Sequence, residues 1–266
     1  MKLKIFMMLG IGIVMGLFFG QVMMGAEGQV HSLVMIVDYE ISPDRAGDFD
    51  SAVQEVNSQL EKYNFPFSFE VFKTENSHAF MVYRLENFAD TDRMNQFWDE
   101  LQQKMGDQEF KALWEKLDVN FRVAGSSFWD RRPDISTLSS QSLLTGAEKP
   151  KSGYAALSFY HVKHGQEMEA VNIFKQSADI YKAKNVSTGF DIYESRFGPE
   201  RLLYVQVFNA SSPEELLLQN QKNMEKIGKE GRTQLEGCDN RLKSIISGSS
   251  FIRGSWQPHL AFKKKK

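Results

Sequence analysis

The sequence predicts an α+β protein: two β-α-β-β-α-β units in tandem, packed as one barrel with the helices outside. Three observations point there. Gly125-Ser126-Ser127-Phe128 returns as Gly248-Ser249-Ser250-Phe251, 123 residues further on. Ahead of each copy, apolar segments of period two and of helical period follow in the same order. The strands are apolar on both faces, so each sheet needs a cover on the side its own helices leave bare.

In the first copy, Leu33, Met35, Val37, Tyr39 and Ile41 line one face of a strand, and Val34 and Ile36 begin the other. Ser42-Pro43 reads as an N-cap with proline at the first helical position. Phe49, Val53, Val56, Leu60 and Tyr63 make the stripe of an amphipathic helix, which Asn64-Phe65-Pro66 ends. Phe67, Phe69 and Val71 alternate as a second strand. Residues 79–85 form a third, after a polar turn at Glu75-Asn76-Ser77. A second helical region spans about 91–117, interrupted near Gly106, with Met94, Phe97, Trp98 and Leu101 on its apolar side. Residues 121–129 close the unit as a fourth strand.

The second copy repeats the order. Residues 154–162 are the strand, and Val171, Phe174, Ala178 and Tyr181 the helical stripe, with Asn185 standing where Asn64 stood. Phe190 to Tyr193 echoes Phe69 to Phe72, residues 202–208 form the third strand, and Gly228 matches Gly106. Ser212-Pro213-Glu214-Glu215 is a capping box with proline at N1. The expected organisation is a first unit over 27–133, a Ser/Thr/Gly/Lys-rich linker over 134–152, a second unit over 153–258 and a basic tail over 259–266.

One β-α-β-β-α-β unit has the ferredoxin-like arrangement, an antiparallel sheet with helices on one face. Two units packed sheet face to sheet face within one chain supply each other's cover. Here the chain resembles the dimeric α+β barrel superfamily, which includes antibiotic-biosynthesis-monooxygenase-like and NIPSNAP-like domains. The residues that carry the resemblance are Tyr160-His161-Val162-Lys163-His164-Gly165, leading into the helix with Phe174, a passage those families often write Y-x-V-K-x-G. Tyr39-Glu40-Ile41-Ser42-Pro43 matches it less well. The superfamily contains cofactor-free oxygenases, haem-degrading enzymes, isomerases and proteins of no known activity, so the resemblance implies a fold and only a range of functions. The haem-degrading branch uses an Asn, a Trp and a second-helix His; residues 91–117 and 213–243 contain no histidine.

The start of the chain has a different character. Lys2 and Lys4 precede an uncharged stretch from Ile5 to Ala26, ending in small residues at Gly25-Ala26, the parts of a secretory signal over residues 1–26. An uncleaved membrane anchor is the alternative. Both place the folded part outside the cytoplasm, secreted or periplasmic. The whole chain carries 32 basic and 34 acidic residues, too acidic a balance for a nucleic-acid partner. Cys238 is the single cysteine and reads as a small buried apolar residue.

Candidate site residues follow from breaks in these patterns. Asp38 interrupts the apolar run on the face of Val34 and Ile36, where partial shielding would raise its pKa. His161, at the end of its strand, is the better acid–base candidate of the pair His161/His164. Those two stand on opposite faces unless the chain bends, and no Asp, Glu or Cys completes a ligand set, so no metal is expected. His161, Asp38 and Tyr39 are the catalytic candidates. Tyr160, Trp98 and Trp129 would line an aromatic pocket for a planar ligand, and Arg131 would hold a carboxylate or phosphate. Against these stand the plain readings of aromatic core and of a strand exit held by Asp–Arg pairing.

The functions this supports are an exported binder of a small planar or apolar molecule, a cofactor-independent monooxygenase or isomerase, and a structural or protein-interaction module. No cofactor is expected. The partners are a small-molecule ligand and, through an uncleaved N-terminal segment, a membrane. The assembly is a monomeric pseudo-dimer or a homo-oligomer.

Overall fold

The computed structural model describes residues 33–118, 121–137, 153–186, 188–197 and 202–264. The N-terminal segment expected to be a signal and most of the expected linker lie outside the described residues. The strands are β1 (Leu33–Ile41), β2 (Phe69–Thr74), β3 (His78–Leu85), β4 (Phe121–Arg131), β5 (Tyr154–Val162), β6 (Asp191–Phe197), β7 (Leu203–Ala210) and β8 (Ile246–Trp256). The helices are α1 (Ala46–Lys62), α2 (Ala89–Met105), α3 (Asp107–Asp118), α4 (Glu167–Ala183) and α5 (Pro213–Ile245).

All eight strands join in one closed antiparallel barrel, in the order β1-β3-β2-β8-β5-β7-β6-β4. The sequence predicts two sheets facing each other; the structure instead joins their edges. β2 pairs with β8 through Phe72–Trp256 to Thr74–Gly254, and β4 pairs with β6 through Trp129–Ser195 to Arg131–Tyr193. Edge pairing removes the unpaired backbone groups that two open sheets would expose. The β2–β8 seam is tight: a Cβ on Gly254 would lie 2.0 Å from the carbonyl oxygen of Lys73, so only glycine lets these backbones approach.

Local chemistry accounts for the boundaries. Asn64 and Asn185 end α1 and α4 with φ of 57° and 49°, a left-handed conformation that asparagine tolerates. Gly106, between α2 and α3, has φ 84°, and Gly228 breaks α5 with φ 74°. At the start of α5 the Glu215 N–H donates to Ser212 Oγ (3.2 Å), and the Glu215 carboxylate accepts from the Ser211 N–H (2.6 Å). Ser42 behaves differently from the expectation. Its side chain caps nothing, Pro43–Arg45 makes one 3-10 turn, and α1 begins only at Ala46.

Alternation sorts the side chains into three apolar layers. Met35, Met81, Phe65, Phe69 and Trp98 belong to the layer between the barrel and α1–α3; Phe174, Tyr181, Phe190, Ile227 and Cys238 belong to that beneath α4 and α5. The third layer fills the barrel itself, with Val34, Phe72, Val82, Trp129, Tyr193 and Val207 among its members.

The strand register corrects the Gly-Ser-Ser-Phe echo. β1 and β5 occupy opposite places in the barrel, and Asp38 on β1 pairs with Gly125, while Phe159 at the same position of β5 pairs with Ser250. The two copies of the motif are therefore two residues out of step along their strands. An even slip keeps each side chain on its own face. In each strand the residue just before the glycine, Ala124 or Ser247, is skipped by the ladder as a bulge.

After each closing strand the chain continues as a strap over a sheet edge. The Arg132 N–H donates to Ile192 O (2.8 Å) and the Thr137 N–H to Phe190 O (3.0 Å). The Gln257 N–H donates to Val71 O (2.8 Å), and Phe262 exchanges bonds of 3.0 Å with Phe69. Ile135 and Leu260, which the sequence reading put in the linker and the basic tail, are both fully buried.

Candidate functional site

One mouth of the barrel gathers the polar residues that interrupt its apolar lining. β1 and β5 stand four strands apart in a ring of eight and run in the same direction, so their C-terminal ends face each other across one opening. From β1, Asp38 follows Val34 and Ile36 on the inward face. From β5, His161 follows Leu157 and Phe159. Direct cross-strand partners confirm the direction: Asp38 pairs with Phe80, and His161 with Leu203, both members of the barrel core.

The hairpin β2–β3 adds a residue that the sequence reading missed. His78, two positions before Phe80 on the inward face, places its Nδ1 2.8 Å from Asp38 Oδ1. Both side chains are about 30% exposed, so water reaches the pair although it faces the barrel axis. Burial raises the pKa of Asp38 above its ordinary value, and the hydrogen bond and charge of His78 oppose that rise. Glu40, next on the inward face and opposite His78 in register, raises it slightly and lies 3.9 Å from Arg122. The missed signal was parity: from Ser77 onward, His78, Phe80 and Val82 share one face.

Below the mouth the barrel is closed. Tyr193 and Val207 are fully buried, and Trp129 is 4% exposed with its indole N–H donating to Ser127 Oγ at 2.7 Å. Ile36, Phe159 and Ile252 remain only partly buried against that core and make an apolar collar.

The seven sequence-derived candidates separate into different compartments. Asp38 and His161 meet at the mouth, and Trp129 lies in the core beneath them. Arg131 also faces inward but at the opposite end, where its Nη2 lies 2.8 Å from Asp191 Oδ1. Tyr39 points outward onto Phe49 of α1, with ring centroids 5.8 Å apart. Tyr160 points into the other helix layer, against Phe174, and its hydroxyl donates to Gln206 Oε1 at 3.1 Å. Trp98 packs in a ring cluster with Phe65, Phe97 and Trp114. Those aromatic rings fill the helix–sheet layers by touching one another. A groove of about 450 Å³ between α4 and α5 is polar, with Lys175, Asp179, Glu230 and Gln234 along it.

His164 is exposed past the end of β5, while His161 is inward. Among the described residues no group of three or more His, Cys, Asp or Glu is placed to hold a metal ion. Among them, too, no helix is long and apolar enough to cross a membrane. Beyond β4, Arg132 pairs with Asp134 (2.8 Å) and Glu194 (2.5 Å), and Arg196 with Asp130 (2.6 Å).

No protein-family model matches the chain, and no curated protein matches its sequence. Solved structures do match its fold. An anthrone oxidase-like protein aligns with TM-score 0.55 at 10% identity, covering 86% of this chain and 92% of that one. A candidate monooxygenase from Fusobacterium nucleatum aligns with TM-score 0.51 at 12% identity, over 85% and 92%. A chlorite dismutase variant from Candidatus Nitrospira defluvii aligns with TM-score 0.51 at 11% identity, over 86% and 92%. These neighbours are dimeric α+β barrel proteins, and the chain shares their fold.

Proposed function

We propose that the barrel mouth is an acid–base site and that the chain is a cofactor-independent enzyme, a monooxygenase or isomerase, that takes a proton from a small planar substrate. The observation that carries this is the 2.8 Å contact between Asp38 Oδ1 and His78 Nδ1 at the barrel mouth, next to the apolar collar. A carboxylate on Nδ1 fixes the imidazole tautomer and leaves Nε2 as the base. The collar of Ile36, Phe159 and Ile252 suits a flat apolar ring. The anthrone oxidase-like and monooxygenase neighbours are compatible with such chemistry but, at 10–12% identity, add only a common scaffold.

The test is solvent-deuterium uptake and oxygen consumption with a panel of planar phenols and aromatic ketones. His78→Gln and Asp38→Asn are compared with the unaltered protein. Positioned general bases contribute about 10²–10⁴-fold, and a loss of that order is expected for His78→Gln. Equal rates in the variants would leave Asp38–His78 as a strand-end ion pair. Binding without turnover would favour the second reading, an exported small-molecule binder with the same collar as its site.

Two further proposals complete the reading. Residues 1–26 direct export, as their basic and apolar composition supports. The chain also arose as a tandem duplication of one ferredoxin-like unit. Supporting that history, the straps after β4 and β8 bury Ile135 and Leu260 at matching places and cover the edges of β6 and β2 with matching bonds. A relative carrying one unit per chain, closed as a homodimer through the same edges, would bear it out; one closed through other edges would not.

A further inference from the structure

We infer that the N-terminal half of β8 pairs, edge to edge, with the same strand of a second copy of this chain. The inference is independent of the acid–base reading and starts from where the barrel wall stops. β5 runs beside β8 from Tyr154–Ser255 to Val162–Ile246, but β2 pairs only with Trp256, Ser255 and Gly254. The Gln257 N–H donates to Val71 O and the Glu75 N–H to Arg253 O, both at 2.8 Å, on the β2 side. The Trp256 N–H donates the other way, to Gly153 O at 3.0 Å, at the head of β5. Backbone groups alternate sides along a strand, so Arg253, Phe251 and Ser249 turn theirs toward β2 and their even-numbered neighbours toward β5. Past Thr74, β2 has ended and the chain turns into β3 at His78. Among the described residues, no strand lies beside the N–H and C=O groups of Phe251 and Ser249.

Natural proteins blunt such edges with charge or proline. β8 has neither from Ile246 to Ile252, and Phe251 is 58% exposed on the outer face, with the Arg253 guanidinium 5.5 Å from its ring. The other half treats the matching place differently. Phe251 stands beside Ser158; beside Val37, the matching residue of β1, stands Ser126, and Arg122 further along β4 is 83% exposed. Closing the barrel therefore needs no phenylalanine there. A second copy fits this edge because the edge is its own complement. A twofold axis at Ser250 sets each Phe251 against the partner's Ser249, and each such pair exchanges both its hydrogen bonds. The two Phe251 rings then lie diagonally across one face, a separation that aromatic side chains span. Arg253 falls toward the partner's Ser247, so no like charges meet. Each edge is used up by the other, which closes the assembly at two copies.

Sedimentation velocity of the purified chain should show a monomer–dimer equilibrium. Ser249→Pro removes an N–H that faces away from β5, a place where an edge strand tolerates proline. It takes one hydrogen bond from each pair and should weaken dimerisation at least about tenfold. Phe251→Ser, which gives β8 the residue of the other half, should weaken it as well. Ser250→Cys decides the register. Ser250 faces its own copy as a non-hydrogen-bonded pair, with Cα atoms about 4.5 Å apart, a span that a disulfide bridges. With copper–phenanthroline as oxidant it should cross-link dimers far faster than Ser249→Cys, while Cys238 is buried and out of reach. The cross-link and Phe251→Ser decide the matter even where the proline variant fails to fold. An open series of larger species, a dimer that both Ser249→Pro and Phe251→Ser leave intact, or equal cross-linking from positions 249 and 250 would each overturn the inference. So would a chain that sediments as a monomer throughout, which would leave the edge to a strand of another protein.

Discussion

The far end of the barrel offers the sharpest test of how the fold closes. Asp191 is completely buried on β6, and Arg131 on β4 is 10% exposed, with Nη2 at 2.8 Å and Nε at 3.2 Å from the same Oδ1. The pair bridges one of the two seams that turn a sheet into a barrel. Asp191→Asn keeps the shape and an acceptor oxygen but removes the charge that faces the guanidinium across the seam. Breaking one partner of a buried pair costs about 3–5 kcal/mol, mostly for the stranded charge. At about 2–4 °C per kcal/mol for a domain of this size, the melting temperature should fall by about 10 °C. Urea unfolding at pH 7 reads the loss as a lower midpoint at unchanged slope. Arg131→Met combined with Asp191→Leu should recover most of it, because two charges leave together. If Asp191→Asn loses less than about 1 kcal/mol, solvent screens the pair and the buried-seam argument is wrong.

The mouth should behave in the opposite way. Burial raises the Asp38 pKa against the pull of His78, with Glu40, itself near Arg122, pushing the same way as burial and His161 facing the pair from β5. The native state then binds the Asp38 proton more tightly than the unfolded chain, so its contribution is full below the ordinary carboxylate range and is lost as pH rises through the native value. Asp38→Asn should therefore be at least as stable as the unaltered protein at pH 7, with the difference shrinking in acid; a clear fall in melting temperature at pH 7 would contradict this. For the proposed export, N-terminal sequencing should find the mature protein beginning just after Ala26, and an intact Met1 on a membrane-bound form would make the segment an anchor instead.

How much of this was legible in the residues depended on whether the signal was local. β1 and β5 could be bounded to the residue because both faces are apolar and Pro43 or Gly165 follows directly. The breaks at Gly106 and Gly228 were legible for the same reason: a glycine inside a helical stripe marks a stop. Closure through β2–β8 and β4–β6 was not, since pairing of distant edges leaves no local pattern; Gly254 shows its purpose only beside the Lys73 carbonyl. Tyr39, Tyr160 and Trp98 face the helix layers and not the barrel interior. Tyr39 and Asp38 are neighbours in sequence, yet one meets α1 and the other the barrel axis. His78 was hidden because a histidine beside a polar turn reads as turn chemistry until its partner strand is placed against it.

The proposed site lies where the two halves of the barrel differ. At the inward position where β1 has Asp38, β5 has Phe159, and one position further out Glu40 stands against His161. Where Phe80 pairs with Asp38, Val205 pairs with Phe159. The packing that closes the barrel needs none of these differences, because an apolar residue would serve as well at each place and would cost less to bury. A partly buried carboxylate with a raised pKa is a standing cost to stability. What offsets that cost is the imidazole that it orients. Residues that weaken a fold at one end and not at the matching end are best explained by what they do there, and an oriented base at the rim of an apolar lining is suited to taking a proton from a flat molecule.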